Sequence, residues 1–257
     1  MKPSLILYLL LFVGITSSWL IIQQDDFNLL KQPKTGLGRE GAAEFFFWEF
    51  QDQASVWSNA PKGLTAVQSF QDSLEKLLGV VQFQRVVKKE QTQRNPKDSM
   101  VYVKNGDHYN AMLVHTGAVG KVRPMNSLEA QILNYQLEKY PLLTRPTEFH
   151  AFIAYHQERK AYRVYFGSSD QPWPPKPVLL IHQLEEDIKN GWKLRYHLHN
   201  HYEPPGNNYL GILAPSMADA QYYKMLADNY QIEQTLITNG IHTVEIKAAD
   251  FGRFESH

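Results

Sequence analysis

The chain has 257 residues, of which 43% are hydrophobic and 20% are charged. This length suits one large domain or a small domain joined to a medium one, and the composition excludes a disordered, collagen-like or multi-pass membrane protein. Lysine plus arginine and aspartate plus glutamate each number 26, so no global basic field is available to hold nucleic acid. Because there is no cysteine, disulfides, thiolate metal sites and a cysteine nucleophile are excluded. The 10 histidines are therefore the main candidates for functional side chains.

The chain begins with an uncharged apolar segment at residues 5–22. As a helix this segment would cover about 27 Å, just enough to cross the hydrocarbon core of a membrane. We expect residues 1–24 to be a signal peptide or a single transmembrane anchor. We favour an uncleaved anchor because apolar residues resume after the best cleavage site, at 16–18. The protein is therefore expected to be membrane-anchored or exported, and extracytoplasmic, in the periplasm if it is bacterial.

The next segment, residues 25–41, is polar and rich in glycine and predicts a linker. A GxGxxG spacing within it follows no predicted strand and so lacks the context of a dinucleotide site. Residues 42–126 are expected to form an N-terminal region of helices and strands whose role the sequence does not indicate. Its aromatic start at 42–58 predicts a buried helix, and apolar residues at helical spacing predict another helix at 64–78. Strands are predicted at 80–87, 100–104 and 111–115.

Residues 127–257 alternate between helical and strand patterns and predict a further domain. The order of elements indicates the α/β (α+β) class, with a mixed β-sheet flanked by helices. Helices are predicted at 127–140, 181–189 and 216–230, strands at 148–156, 160–166 and 193–201, and a β-hairpin at 235–246.

Three alternating histidines in one predicted strand carry the strongest chemical signal. Alternate side chains of a strand share a face, so His197, His199 and His201 should line one face together. The other face should hold Leu194, Tyr196 and Leu198 and pack on the core. Histidines two positions apart are separated by ~6.6 Å along the strand, and bonds from zinc to nitrogen are ~2.0–2.1 Å long. Two of these rings can therefore lean onto one zinc ion.

A possible third ligand lies at the start of the helix predicted at 216–230. Ser216 and Asp219 have the spacing of a helix capping box, which is the more ordinary interpretation of this pair. A strand that ends in His-x-His, followed by a loop and this helix start, can nevertheless bring two imidazoles and a carboxylate together. Three protein ligands and one open position are typical of catalytic zinc sites, in which the bound water has a pKa of ~7.

These residues resemble the JAMM metalloenzymes, also called the MPN or Mov34 superfamily. The family pattern is a glutamate, then His-x-His, then Ser-x-x-Asp, and the His-Asn-His spelling and the Pro-Ser pair are closest to the bacterial RadC-type branch. The resemblance covers roughly residues 127–246 and implies a JAMM-like fold. It implies that His199, His201 and Asp219 hold Zn²⁺ and that Ser216 hydrogen-bonds near the reacting carbonyl or the bound water. An alternative register would use His197 and His199 as the ligands. We favour His199 and His201, because the His-Asn-His spelling then fits and the following loop is shorter, and His197 would then lie next to the ligands.

The resemblance also implies an upstream glutamate that acts as general base. Glu148 fits this role best, because it follows the helix at 127–140 and begins a predicted strand. Its task would be to take a proton from the zinc-bound water and return it to the leaving amine. Two departures from the family are Tyr202, where a proline is usual, and a loop at 202–215 about twice the usual length. Such an insertion at the mouth of the site could change which substrates are accepted.

The first hypothesis is therefore a zinc-dependent hydrolase of peptide or isopeptide bonds, acting on peptide or protein substrates with no nucleic-acid partner. The first alternative is a non-catalytic JAMM-fold scaffold or binding domain, although such members typically lose metal ligands. The second is a histidine-triad-like nucleotide hydrolase, which the His-x-His-x-His pattern suggests but Asn200 and the following polar residues fit poorly.

Overall fold

A computed structural model describes residues 27–88, 106–201 and 213–256. The described strands are β1 Lys34–Glu40, β2 Ala43–Gln51, β3 Lys121–Pro124, β4 Phe149–His156, β5 Ala161–Ser168, β6 Trp192–Asn200, β7 Gln234–Thr238 and β8 His242–Lys247. The described α-helices are α1 Thr65–Leu78, α2 Val80–Val87, α3 Gly106–His115, α4 Ser127–Lys139, α5 Val178–Lys189 and α6 Met217–Tyr230. Short 3-10 helices lie at Leu29–Lys31, Ala54–Val56 and Ala248–Arg253.

The strands form an eight-stranded mixed sheet in the order β1-β2-β5-β4-β6-β7-β8-β3. Neighbouring strands are antiparallel except β6 and β7, which are parallel and are connected through α6. Because they are parallel, both strands end at the same edge of the sheet, at Asn200 and Thr238. The antiparallel pairing of β4 with β6 brings the start of β4 to this same edge.

The sheet is covered on both faces, which agrees with the predicted α/β class. One hydrophobic layer includes side chains of α1 and α4, and the opposite layer includes side chains of α3, α5 and α6. The helices and strands predicted from residue 127 onward are confirmed, with shifts of a few residues at their ends. The helix predicted at 64–78 is also confirmed as α1, which buries Val67, Phe70 and Leu74.

The start of the described chain differs from the prediction. The linker expected at 25–41 contains β1, and Phe27 and Leu29 before it are buried. The buried helix expected at 42–58 is β2. The reason is that β2 lies inside the sheet, so Phe46, Trp48 and Phe50 enter one core while Phe45 and Phe47 enter the other. A strand that is buried on both faces has a continuous apolar run without the polar alternation that marks a strand.

Two predicted strands are also wrong. Residues 80–87 form α2 and residues 111–115 belong to α3. The valines at 80–87 suggested a strand, but Phe83 and Val86 are buried at helical spacing whereas Val80 and Val81 are exposed. Tertiary packing here overrides the weak preference of valine for strands. The short strand β3 was not predicted.

Three further predictions lie wholly or mostly outside the described residues, namely the segment at 1–24, the strand at 100–104 and the loop at 202–215, of which 202–212 are not described. Within the described ranges, no helix has the length and the apolar character needed to span a membrane. β1 comes from the segment before residue 42, and β2 and β3 come from the region at 42–126. All three belong to the same sheet as the strands that follow residue 127.

Candidate metal centre

Two histidines and a carboxylate converge where β6 ends and α6 begins. Each of His199, His201 and Asp219 offers a ligand atom, and these atoms lie within 4.8 Å of one another. His199 Nε2 is 3.0 Å from His201 Nε2 and 3.7 Å from Asp219 Oδ1, while His201 Nε2 is 3.2 Å from Asp219 Oδ2. Ligand atoms around one tetrahedral zinc are about 3.3 Å apart, given zinc–nitrogen bonds of ~2.0–2.1 Å. These three residues could therefore hold a metal ion.

The histidine face of β6 is set by the pairing with β4. His199 is opposite His150, and His197 is opposite Phe152. The prediction that Leu194 lies on the other face, with Tyr196 and Leu198, is wrong. The register shifts between β4 and β6 so that Ile153 pairs with Tyr196 but Ala154 pairs with Leu194. The extra residue, Arg195, reverses the alternation, and Leu194 packs in the same layer as Phe152.

The histidine face is covered by α6 rather than open to solvent. His197 and His199 are each 1% exposed, and the rings of Tyr222 and Tyr223 pack against them. The Tyr223 hydroxyl lies 3.4 Å from His199 Nδ1. Burial lowers the pKa of His199 to about 3, an effect that the Asp219 carboxylate opposes. His199 is therefore neutral near pH 7, which is the form that binds a metal.

Asp219 has two roles in the structure. Its side chain completes a capping box, because Asp219 Oδ2 accepts hydrogen bonds from Ser216 N at 2.9 Å and Ser216 Oγ at 2.7 Å, while Asp219 N donates to Ser216 Oγ. The same carboxylate faces His199 and His201. Burial disfavours its charge, but both histidines and the Ser216 hydrogen bond hold the pKa of Asp219 below its usual range. The capping box and the ligand position therefore coexist in one residue.

Glu148 lies directly before β4, at the edge of the sheet where β6 ends. Phe149 packs in the layer with α4, so alternation places Glu148 on the histidine face with His150. Burial raises the pKa of Glu148 to about 7; His201 opposes this shift and the negative charge of Asp219 adds to it. A carboxyl group with a pKa near neutrality beside candidate metal ligands can both accept and release a proton.

The remaining histidines of this face form a separate pair. His150 Nδ1 lies 2.8 Å from His197 Nε2, and burial lowers the pKa of both rings, that of His150 to about 4. His197 does not belong to the three-residue group found among the described residues. The described geometry thus favours the register His199 and His201 over His197 and His199.

The sequence interpretation missed Asn200, which is fully buried between the two candidate ligands. Its side chain points away from the histidine face and donates to Thr147 O at 2.9 Å while accepting from Phe149 N at 3.1 Å. The sequence does contain a signal for it. Asn200 lies two positions after Leu198, so strand alternation predicts that it faces the core, and a polar amide there must have hydrogen-bond partners.

The donor set of two imidazoles and one carboxylate fits zinc, which binds nitrogen and oxygen ligands of this kind. It fits other divalent transition metals as well, since imidazole also suits copper, iron and nickel. Comparison of the chain with protein-family models, curated proteins and solved structures found no match.

Proposed function

We propose that this protein is a zinc-dependent hydrolase of peptide or isopeptide bonds, related to the JAMM metalloenzymes. The convergence of His199, His201 and Asp219 at the end of β6 is the observation that carries this proposal. These residues lie at the ends of two separate elements. Burial keeps His199 neutral and the neighbours of Asp219 keep it ionised, as metal ligation requires. If these histidines had only a structural role, a carboxylate that faces two of their rings would not be needed.

His199, His201 and Asp219 would hold the ion and leave one position for water and substrate. A bound zinc would supply a Lewis acid that polarises the scissile carbonyl and lowers the pKa of water. Glu148 would then hold the proton taken from the attacking water and deliver it to the leaving amine. Its raised pKa suits both steps, since a group that titrates near the working pH can receive and return a proton.

Ser216 would have a supporting role at the same site. Its hydroxyl donates to Asp219 Oδ2 at 2.7 Å and accepts from Asp219 N at 3.1 Å, so it restrains the carboxylate. In the family that the motif resembles, this serine lies near the reacting carbonyl. A serine hydroxyl has one proton to donate. We therefore assign Ser216 to the orientation of Asp219 and, when its hydroxyl turns from Asp219 to the substrate, to the stabilisation of negative charge on the substrate oxygen.

The order of residues supports kinship with the RadC-type branch of this superfamily. Glu148, the His199-Asn200-His201 triplet and the Pro215-Ser216 pair before Asp219 follow the family order along the chain. The strand, crossover and helix that carry them occur in a mixed sheet flanked by helices. Tyr202 and the longer loop at 202–215 depart from the family and would affect the choice of substrate.

The proposal includes a peptide or protein substrate outside the cytoplasm. The uncharged segment at 5–22 would attach the protein to a membrane or direct its export. In that location an envelope peptide is a more natural substrate than a cytosolic protein modifier. Fractionation of cells that express the full chain, followed by protease treatment of intact cells or spheroplasts, tests this placement.

The histidine-triad alternative has less support. That chemistry needs a nucleophilic histidine within a row of three, but His197 contacts His150 and lies beneath Tyr222. The scaffold alternative would be favoured only if the three ligand residues bound no metal.

Metal analysis is the first test of the proposal. After exposure to zinc and extensive dialysis, the full chain should retain about one zinc, and His201→Ala and Asp219→Ala should retain none. His156→Ala is the matched control, because His156 is a buried histidine at the far end of β4, where it contacts Asn190 O. A wild-type chain without bound metal would contradict the mechanism.

Glu148→Gln is the second test, because it keeps the shape of the side chain and removes its basicity. It should retain zinc and lower turnover of a peptide substrate by about 10²–10⁴-fold. Full activity in this variant would remove Glu148 from the mechanism while leaving the metal site intact.

A further inference from the structure

We infer that Asn200 is a positioning residue that holds Glu148 beside the metal centre; this inference rests on the proposed function. Asn200 lies between the two candidate ligands His199 and His201, yet its side chain points to the opposite face of the sheet. It is 0% exposed. A buried primary amide is retained only where its hydrogen bonds are made, so its contacts indicate its task.

The two contacts of Asn200 lie on either side of Glu148. Asn200 Nδ2 donates to the carbonyl of Thr147 at 2.9 Å, and Asn200 Oδ1 accepts from the amide of Phe149 at 3.1 Å. The side chain thus binds the backbone before and after Glu148 as a neighbouring strand would. Glu148 N itself donates to Gln171 O at 3.3 Å. The backbone around Glu148 is therefore held from two directions.

The Asn200 side chain continues the link between β4 and β6 beyond the point where their backbone pairing ends. The last backbone pair between β4 and β6 is His150 with His199. One residue further, Phe149 is opposite Asn200, and the amide of Phe149 is bonded to the Asn200 side chain instead of to a β6 carbonyl. Without Asn200, Phe149 would keep its pairing with Ser168 of β5, but the segment at 147–149 would lose its direct tie to the strand that carries the histidines.

The consequence is a fixed spacing between the proposed base and the metal ligands. Asn200 is covalently joined to both histidines, so any movement of its side chain relative to Thr147 and Phe149 changes the position of Glu148 relative to them. Proton transfer needs a separation of about 2.6–3.2 Å between the heavy atoms involved, and a displacement of 1 Å can cost ~10²-fold in rate. Asn200 would thus act on the reaction through Glu148 without touching substrate or metal.

A double-mutant cycle tests this inference. Asn200→Leu removes both hydrogen bonds at similar volume and should lower kcat by about 10²-fold while the chain retains one zinc. In the Glu148→Gln background the same substitution should change kcat less than about 3-fold, because residues that act as a unit are not additive. Hydrogen exchange provides a readout that needs neither metal nor substrate, since the Phe149 amide should exchange faster in Asn200→Leu.

The matched control is Thr238→Val. Thr238 is the β7 partner of Asn200, is equally buried, and donates from its side chain to His242 O rather than to the Glu148 segment. This variant should keep the wild-type kcat and the wild-type exchange rate at Phe149. Asn200→Asp keeps the acceptor for Phe149 but not the donor to Thr147, and it serves in the same cycle if Asn200→Leu does not fold.

The outcomes separate this inference from the proposed function. A wild-type chain without zinc or turnover would overturn the proposed function. An unaffected Glu148→Gln would remove Glu148 from the mechanism, and with it the task assigned to Asn200, while leaving the metal site intact. If Glu148→Gln is impaired but Asn200→Leu has wild-type kcat, or loses the same factor in both backgrounds, the positioning role is wrong and the proposed function stands.

Discussion

The N-termini of α4 and α6 are built from the same local motif but face different partners. In each, a polar residue caps the helix and an acidic residue three positions later completes a capping box, Asn126 with Glu129 and Ser216 with Asp219. Glu129 is fully buried and bonded to Arg123 at 2.8 Å and 2.5 Å, and it also accepts from Thr243. Asp219 faces two histidines instead.

This difference separates a structural carboxylate from one that can bind a metal. At α4 the charge of Glu129 is balanced by a permanent cation, and its oxygens are occupied by the contacts described above. At α6 the neighbours of Asp219 are imidazoles, and the His199 ring is kept neutral by burial. A divalent cation would supply at α6 the positive charge that Arg123 supplies at α4. The capping box alone therefore does not identify a site; the residues opposite its carboxylate do.

The largest expected effect in this comparison is on metal binding. Asp219→Asn keeps the size of the side chain but removes the charge, and it should abolish tight zinc binding. Glu129→Gln makes the matching change at α4 and should leave zinc stoichiometry at about one per chain. Metal analysis of both variants after dialysis measures the difference. Equal zinc retention in the two variants would mean that Asp219 is only a helix cap.

The second effect is on the free energy of unfolding. Here Glu129→Gln should have the larger effect and Asp219→Asn the smaller one. Glu129→Gln leaves Arg123 with the Glu245 carboxylate and the carbonyl of Pro124, and the Arg123 side chain is 22% exposed. Breaking a buried ion pair on one side costs about 3–5 kcal/mol. Asp219→Asn in metal-free protein should cost less, because Asp219 faces imidazoles instead of a permanent cation and its side chain is 24% exposed. Urea unfolding of the metal-free variants compares them, and a smaller loss for Glu129→Gln would contradict this assignment.

The third prediction concerns pH. Burial lowers the pKa of His199 to about 3 and that of His150 to about 4, and it lowers the pKa of His197 as well. In the unfolded chain these histidines have a pKa of about 6.5 and bind protons below that pH, whereas in the folded chain they stay neutral. The free energy of unfolding therefore falls as pH decreases. Glu148 acts in the opposite sense, since its pKa is raised to about 7. Asp219 stays ionised from pH 7 to pH 5.

Three histidines outweigh one carboxyl, so the metal-free protein should lose roughly 3–4 kcal/mol between pH 7 and pH 5. Urea unfolding at pH 7, 6 and 5 measures this slope. In Glu148→Gln the loss should be steeper, because the opposing group is removed, whereas Glu129→Gln should keep the wild-type slope. Stability that is constant or increases toward pH 5 would show that the histidine face is not buried in its neutral form.

The candidate ligands could be predicted because each half of the motif is local in the sequence. His199 is in β6 and His201 directly follows its last residue, while Ser216 and Asp219 span one helical turn. The strand and helix that carry them have regular patterns, so their pairing at one edge of the sheet could be anticipated. Glu148 came from the resemblance to a family, because an isolated glutamate before a strand has no signal of its own.

Other features depend on contacts that no local pattern carries. The bulge at Arg195 reverses the face of Leu194, and it is visible only in the pairing of β6 with β4. β2 is buried on both faces, so its aromatic run looked like a helix. Asn200 contacts residues about fifty positions away, and only the assembled sheet reveals that it binds the backbone around Glu148.

The smallest effect distinguishes the two capping residues themselves. Asn126→Ala and Ser216→Ala each remove a side chain that accepts from the backbone N–H three residues later, at 2.9 Å and 3.1 Å. Loss of such a cap costs ~1 kcal/mol, so urea unfolding of the two metal-free variants should give similar losses. Only Ser216→Ala also weakens the hold on the Asp219 carboxylate, because it removes the bond from Ser216 Oγ to Asp219 Oδ2 and leaves the one from Ser216 N. Removing an outer partner of a metal ligand typically lowers metal affinity by ~10–100-fold. A competition titration with a zinc chelator should detect this loss in Ser216→Ala and no change in Asn126→Ala. The same zinc affinity in both variants would show that Ser216 supports the helix without orienting the ligand.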